Sequence, residues 1–251
     1  MNKKILAAAS CWAVTGAIAF ADGSFGPLPE ATFNPTGANT GNPNNAVEST
    51  TYGAGEEAFT LGLAAQQRYT NPALQNNGAG TYFATTGANV QGTPPTLGSL
   101  WNVDFYINVF GPTSAGGLSG FTFKLFYDFD PAANTPKSQL GFINLNAANI
   151  ATGGSATTKT LQDSENLDFN FFATPVSGVV APPTGVTSFD PNAPGEYSFI
   201  LEADDASTGA ELTEVDITVD VSSVPDVSAT APLLALALGG LGMFRRRQAG
   251  R

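Results

Sequence analysis

The chain has 251 residues, a net charge of −11, no histidine and one cysteine. Without histidine there is no Ser-His-Asp or Cys-His catalytic set, and with a single cysteine the usual zinc ligands are missing too. Between Asp22 and Pro225 only Arg68, Lys124, Lys137 and Lys159 oppose 20 carboxylates; such a surface repels phosphate backbones, so nucleic acid is not an expected partner.

In chain order, residues 1–21 come first. Lys3 and Lys4 precede an apolar stretch from Ile5, which ends at Ala19-Phe20-Ala21. A basic start, an apolar middle and an A-x-A site form a secretory signal peptide, with cleavage expected before Asp22. An uncleaved N-terminal helix is one alternative. A lipid anchor on Cys11 is another, but Ala8-Ala9-Ser10 lacks the usual large aliphatic residue three positions before the cysteine. Once the signal is removed the exported chain has no thiol and no intramolecular disulfide. It must fold on its core alone, and residues 22–223 are expected to form one β-sandwich ectodomain.

Residues 22–50 are rich in Gly, Pro, Asn and Thr, and Gly37 to Ala46 reads as loop. Period-two patterns then begin. Phe59, Leu61 and Leu63 alternate on one face of Glu57 to Ala65. Trp101, Val103, Phe105, Ile107 and Val109 share a face, with Asn102, Asp104, Tyr106 and Asn108 on the other. After the glycine-rich stretch Gly111 to Gly120, Phe121, Phe123, Leu125, Tyr127 and Phe129 alternate again. These two runs read as neighbouring antiparallel strands joined by a long hairpin loop. FINLNAANI and LDFNFFATPVSGVV read as further short strands, and no helical period of useful length is visible in the core. Near the end, Tyr197, Phe199, Leu201 and Ala203 face inward. Asp205 to Glu211 forms a turn, and Val215, Ile217, Val219 and Val221 return opposite an acidic face. The fold class that follows is all-β, an antiparallel β-sandwich.

Candidate chemistry is sparse. Asp128, Asp130 and Asn134 place oxygen ligands on one loop, a pattern suited to Ca²⁺, but the spacing departs from the EF-hand loop and the favoured reading is that Asp130-Pro131 starts a plain turn. Asp204 and Asp205 at the hairpin head carry the same two readings. Tyr106 points away from the Trp101 face and is the candidate platform for a sugar ring, whereas Trp101 is assigned to the core. Phe110, Phe126 and Tyr106 are candidates for an exposed or second-core patch. A glycoside hydrolase needs two carboxylates across a cleft, and Glu202, Asp216 and Asp220 share a sheet face. The competing reading of these acids is a solvated surface. No cofactor is required by any of these patterns.

The tail, Val224 to Arg251, has a Val-Pro-Asp step, sixteen uncharged residues from Ala229 to Phe244, and then Arg245, Arg246 and Arg247. A helix of that length spans roughly 24 Å, slightly short of a ~30 Å hydrocarbon core, a deficit that snorkelling arginines cover. The arginines hold the C-terminus on the cytoplasmic side, so the ectodomain faces away from it. The expected layout is therefore a signal helix, a sandwich, and a C-terminal transmembrane helix at 229–244.

This tripartite tail resembles the PEP-CTERM sorting signal of exported proteins in Gram-negative bacteria. Val224-Pro225-Asp226 is similar to the VPD-type variant, in place of Pro-Glu-Pro. The resemblance implies an exosortase, a membrane cysteine protease, as partner, with processing at Val224, Pro225 and Asp226. It further implies an inner-membrane intermediate whose ectodomain faces the periplasm, and delivery to the cell surface or an extracellular polymer. The core stretches GNPNNAV, LWNVDFYINV, FTFKLFYDFDPAAN, NLDFNFF and FDPNAPGEYSFILEADDASTGAELTEVDITVDV resemble β-rich ectodomains that accompany such tags. The expected function is that of a secreted surface or matrix protein without catalytic activity. The alternatives are a carbohydrate- or calcium-binding module of an extracellular polysaccharide matrix, and a two-carboxylate glycoside hydrolase.

Overall fold

The computed structural model describes residues 23–34, 47–53, 58–68, 74–92, 95–111 and 114–223. The signal segment with Ala19, Ala21 and Asp22, and the tail with Val224, Pro225, Asp226, Arg245, Arg246 and Arg247, lie outside them. Among the described residues no helix is long and apolar enough to cross a membrane.

Alternating apolar side chains build two facing sheets. The first holds β1 (Ser24–Gly26), β2 (Val47–Tyr52), β3 (Ala58–Gln67), β8 (Trp101–Phe110) and β11 (Thr160–Glu165), in that spatial order and antiparallel throughout. The second runs β12 (Val180–Ala181), β10 (Gly141–Asn144), β9 (Phe121–Tyr127), β13 (Gly195–Asp205), β14 (Glu211–Ser222), β5 (Thr81–Thr85) and β4 (Gln75–Asn76). Its β14–β5 pair is parallel, a departure from the purely antiparallel expectation. A small ribbon of β6 (Ala88–Gln91) and β7 (Thr96–Ser99) stands apart.

The inner faces meet through aromatic rings. Phe59 of β3 contacts Phe121 and Phe123 of β9 edge-on, with centroids 4.8 and 5.4 Å apart. Trp101 of β8 meets Phe199 of β13 edge-on at 6.0 Å. Such pairs add about 0.5–1.5 kcal/mol each beyond the area they bury. Phe59, Leu61 and Leu63, and likewise Tyr197, Phe199, Leu201 and Ala203, are all fully buried in this interface.

Three expectations are corrected. First, β8 and β9 are not hairpin partners. β8 lies between β3 and β11, while β9 lies between β10 and β13 in the opposite sheet. The glycine-rich connection is a pair of 3-10 turns, Ser114–Gly120, that crosses between sheets, with Gly117 at φ 57° where L side chains are strained. Alternation reports which face of a strand is apolar and is silent about which strand lies beside it. Second, FINLNAANI is strand β10 followed by helix α1 (Leu145–Ala151). The Asn144 side chain caps α1 by accepting the Ala147 N–H at 3.0 Å. Asn146 then ties α1 to the start of β9. Its Oδ1 accepts the Phe123 N–H at 2.7 Å, and its Nδ2 donates to the Leu118 and Phe121 carbonyls at 3.0 Å. Third, LDFNFFATPVSGVV holds a 3-10 turn, Asn170–Ala173, and the two residues of β12, in place of longer strands.

The outer face of the first sheet is also covered. Residues 28–33 lie across it, with Leu28, Ala31 and Phe33 buried. The Gln162 side chain fixes this cover: its Oε1 accepts the Thr32 and Phe33 N–H groups at 2.9 and 3.0 Å, and its Nε2 donates to Thr32 Oγ1 at 2.9 Å. Gly62 makes the close approach feasible, because a Cβ there would stand 2.8 Å from Leu28 Cδ2 and 3.2 Å from Val47 Cγ1. Polar outer-face residues are thereby internalised. Gln66 donates to Asp104 Oδ1 at 3.0 Å and to Ser164 Oγ at 2.8 Å. Burial pushes the Asp104 carboxyl well above its ordinary range, against the hydrogen bonds from Ser164 and Gln66.

Candidate functional site

At one edge the sheets part. β11 ends the first sheet, and β10 with β12 ends the second. Between them lies a cavity of about 450 Å³, within the size range of small-molecule sites. Its floor is Phe105 of β8, Leu125 of β9 and Ile143 of β10, all buried. The 3-10 turn Asn170–Ala173 supplies a wall and is held by the buried Tyr127, whose hydroxyl donates to the Phe172 carbonyl at 2.6 Å. Phe172 packs edge-on to Tyr127 at 4.8 Å and stacks on Phe171 at 4.3 Å, which sets Phe171 against the cavity. Val176 and Val180 close a tight turn, with the Val180 N–H donating to the Val176 carbonyl at 2.8 Å.

Asp163 and Glu165 of β11 line this apolar space. They share the inner face of the strand with Leu161, as their register against Phe105, Val103 and Ile107 requires. Burial raises the Asp163 carboxyl above its usual range, against the pull of the Ser164 N–H at 2.8 Å. Burial, and then the neighbouring Asp163 charge, push Glu165 up to about 8. Sequence patterning missed this pair because TLQDSE has no apolar alternation. The available signal was two acids at i and i+2 in phase with Leu161, which puts both on the face that the leucine buries.

The residues singled out by the sequence fall elsewhere. Tyr106 does lie on the face opposite Trp101, but it is only 3% exposed beneath residues 28–33, so it offers no open ring to a sugar. Phe110 is 38% exposed, while Phe126 packs against Phe142 at 5.8 Å under the Lys137 ammonium, 5.1 Å from its ring. Tyr106, Phe110 and Phe126 therefore belong to no common patch: the first two lie on the first sheet and Phe126 on the second.

The candidate calcium loop is a chain of side-chain turns. Asp128 Oδ1 accepts the Asp130 N–H at 2.8 Å, and Asp130 Oδ1 accepts the Ala132 N–H at 3.0 Å. Asn134, at φ 61°, donates its N–H to Glu196. Asp128 is buried and its carboxyl is raised by that burial. Asp205 caps the β13–β14 hairpin by accepting from both the N–H and the hydroxyl of Ser207 and of Thr208, which holds its carboxyl down near 2.

On the outer face of the second sheet, Glu202 stands opposite Glu214, and Asp216 opposite Ile200. Asp220 is opposite Glu196, further along the pair. Glu202, Glu211 and Glu214 bring carboxylate oxygens within 4.8 Å of one another. The Lys137 ammonium already sits among them, 2.5 Å from Glu202 and from Glu214 and 3.4 Å from Glu211. Lys124 adds contacts to Glu202 at 3.0 Å and to Asp204 at 2.5 Å. Burial pushes Glu202 up, but the hydrogen bonds from Lys137 and Lys124 outweigh it and hold the carboxyl below its ordinary range. Asp204 stays raised, because burial and Glu202 together exceed the single contact from Lys124. A doubly lysine-bound Glu202 cannot hold a proton near neutrality as a general acid must.

Comparison with known proteins adds the other end of the chain. No curated protein and no solved structure matches it. Residues 223–248 match the VPDSG-CTERM motif, a PEP-CTERM-like sorting signal, with Val224-Pro225-Asp226-Val227-Ser228 at its start. The chain thus joins a β-rich body to the C-terminal signal of an exported, sorted protein.

Proposed function

We propose that the chain is a secreted surface or extracellular-matrix protein without catalytic activity, whose tail is read by an exosortase-type membrane protease. The observation that carries this reading is the position of the motif. It begins at residue 223, directly after β14 ends at Ser222. Processing at Val224, Pro225 or Asp226 leaves every described strand intact, so the tail is separable from the fold without cost to its core. The apolar run 229–244 halts export, the arginines orient it, and the body waits on the far side of the inner membrane of a Gram-negative cell until transfer.

Intact-mass measurement of the protein recovered from the cell surface or medium tests this. The expected mass lacks both the segment before Asp22 and the segment beyond Asp226. A mature protein that retains Arg245 to Arg251 in a strain with an active exosortase overturns the sorting reading and leaves a plain membrane anchor.

A further inference from the structure

We propose that the cavity between β11, α1 and β12 binds a small organic cation with an apolar body, its head group against Asp163 and Glu165. Three properties of the cavity select this class. The first is its wall. Phe105, Leu125, Ile143, Leu161, Phe171 and Val179 present hydrocarbon, and the polar side chains on the lining are Asn149, Thr152, Asp163 and Glu165. A sugar would bring many hydroxyls to a site with few partners, and unpaired polar groups lose affinity on burial.

The second property is charge. No hydrogen bond or cation reaches the Glu165 carboxyl among the described residues; its charged neighbour is Asp163. The segments that wall the cavity, α1 (LNAANIA), β10 (GFIN), β12 (VA) and the turn NFFA, carry no ionisable side chain. On β9, Lys124 is engaged with Glu202 and Asp204 on the outer face. On β8, Asp104 is bound by Gln66 on the outer face. Lys159 lies at the opposite end of β11, six residues from Glu165, or about 20 Å along a strand. Asp168 faces Arg68. Among the described residues the cavity therefore carries two acids and no internal counter-ion, the reverse of the Glu202 cluster. An organic cation completes it, with its apolar body on the hydrocarbon wall.

The third property is ligand number. Calcium takes 6–8 oxygen ligands. Two carboxylates on an apolar wall fall well short of that, so a bare metal ion is the poorer fit. Because the neighbouring charge and burial keep a proton on Glu165 near neutrality, cation binding must expel it, and affinity rises with pH up to about 8.

The test uses the full chain in lipid nanodiscs, with empty nanodiscs as blank, and ligand-observed NMR titration. The probes are hexyltrimethylammonium, which cannot itself titrate, and hexan-1-ol and hexanoate as neutral and anionic isosteres. The expected result at about pH 9 is cation binding about tenfold tighter than hexanol, with hexanoate weakest. The cation should weaken between about pH 9 and pH 6. D163N/E165Q should bring the cation down to the level of hexanol and abolish the pH dependence. Its retained hexanol binding reports an intact cavity, and Val179→Trp, which fills the cavity, should remove both ligands. Equal affinity for cation and alcohol in the unmodified protein, cation binding untouched by D163N/E165Q, or no binding of any probe overturns the proposal. None of these outcomes depends on how the tail is processed.

Discussion

Two acidic regions of this protein use the same side chains to opposite ends. On the outer face of the second sheet, Glu202 is almost fully buried yet sits between Lys124 and Lys137, and its carboxyl is held below its usual range. In the cavity at the open edge, Glu165 meets another acid and hydrocarbon, and its carboxyl rises to about 8. Both are glutamates on strands of a negatively charged body. The difference lies in whether the fold brings its own cation. Where it does, the acid is a structural cross-brace linking β9, β13, β14 and the 3-10 turn Lys137–Gln139. Where it does not, the acid is a cost to the fold that a ligand can offset.

The sharpest way to break this contrast is to remove the lysines. K124A/K137A leaves Glu202 buried without a counter-ion. Loss of partners from a buried ionic group costs about 3–5 kcal/mol, and the partial exposure of both lysines lowers this to about 2–3 kcal/mol. Denaturant titration near pH 7 should show that loss, and restoring it with the further change E202L would confirm that the uncompensated carboxylate is responsible. No loss in the double variant would place Glu202 in water.

Next in size is the response to pH, which should run in opposite directions for the two regions. Folded Glu165 keeps a proton that the unfolded chain releases near 4.5. Its contribution to stability is therefore complete below 4.5 and is lost as pH rises through about 8. Glu202 has a lowered folded value, so its contribution is present above its unfolded value of 4.5 and is lost as pH falls through the folded one. Melting curves across pH should fall at both ends. D163N/E165Q should flatten the alkaline limb alone, by on the order of 1–2 kcal/mol, and E202Q the acid limb alone. A single variant that flattens both limbs would show the regions to be coupled.

A smaller effect is expected from E165L. Replacing an acid that lacks an internal cation by an apolar residue of similar volume should stabilise the protein above about pH 8, by about 1 kcal/mol. The smallest belongs to Asp220, exposed on the wet face of β14. Asp220→Asn should change stability by less than about 0.5 kcal/mol, and a larger loss would show that the solvated acidic face has its own hidden partners.

The sequence was informative where one strand face is wet. β14 alternates buried and open residues along its whole length, so Val215, Ile217, Val219 and Val221 could be assigned inward from their spacing. It was less informative where a strand is covered on both sides. Tyr106 has the right phase for an outer-face residue, yet it is covered by residues that precede it by more than seventy positions, held through Gln162. No local pattern encodes such a cover. Helix α1 escaped notice because it has seven residues, too few for a 3.6-residue period to show, and is defined by the Asn144 cap. The paired acids escaped because periodic reading searches for apolar residues in phase, and here the residues in phase with the core are the charged ones.

β14 has one further consequence. It is bonded to β13 on one side and to β5 on the other, and it is the strand that leads directly into the sorting signal. A load applied beyond Ser223 therefore runs along β14 and across its hydrogen bonds, which lie perpendicular to an antiparallel strand. The ladder from Val221 to Glu211 bears such a pull in shear, with its bonds sharing the force, where an edge strand pulled sideways would peel one bond at a time. A body fastened at this point resists detachment by flow or traction through the ten-pair antiparallel ladder between β13 and β14.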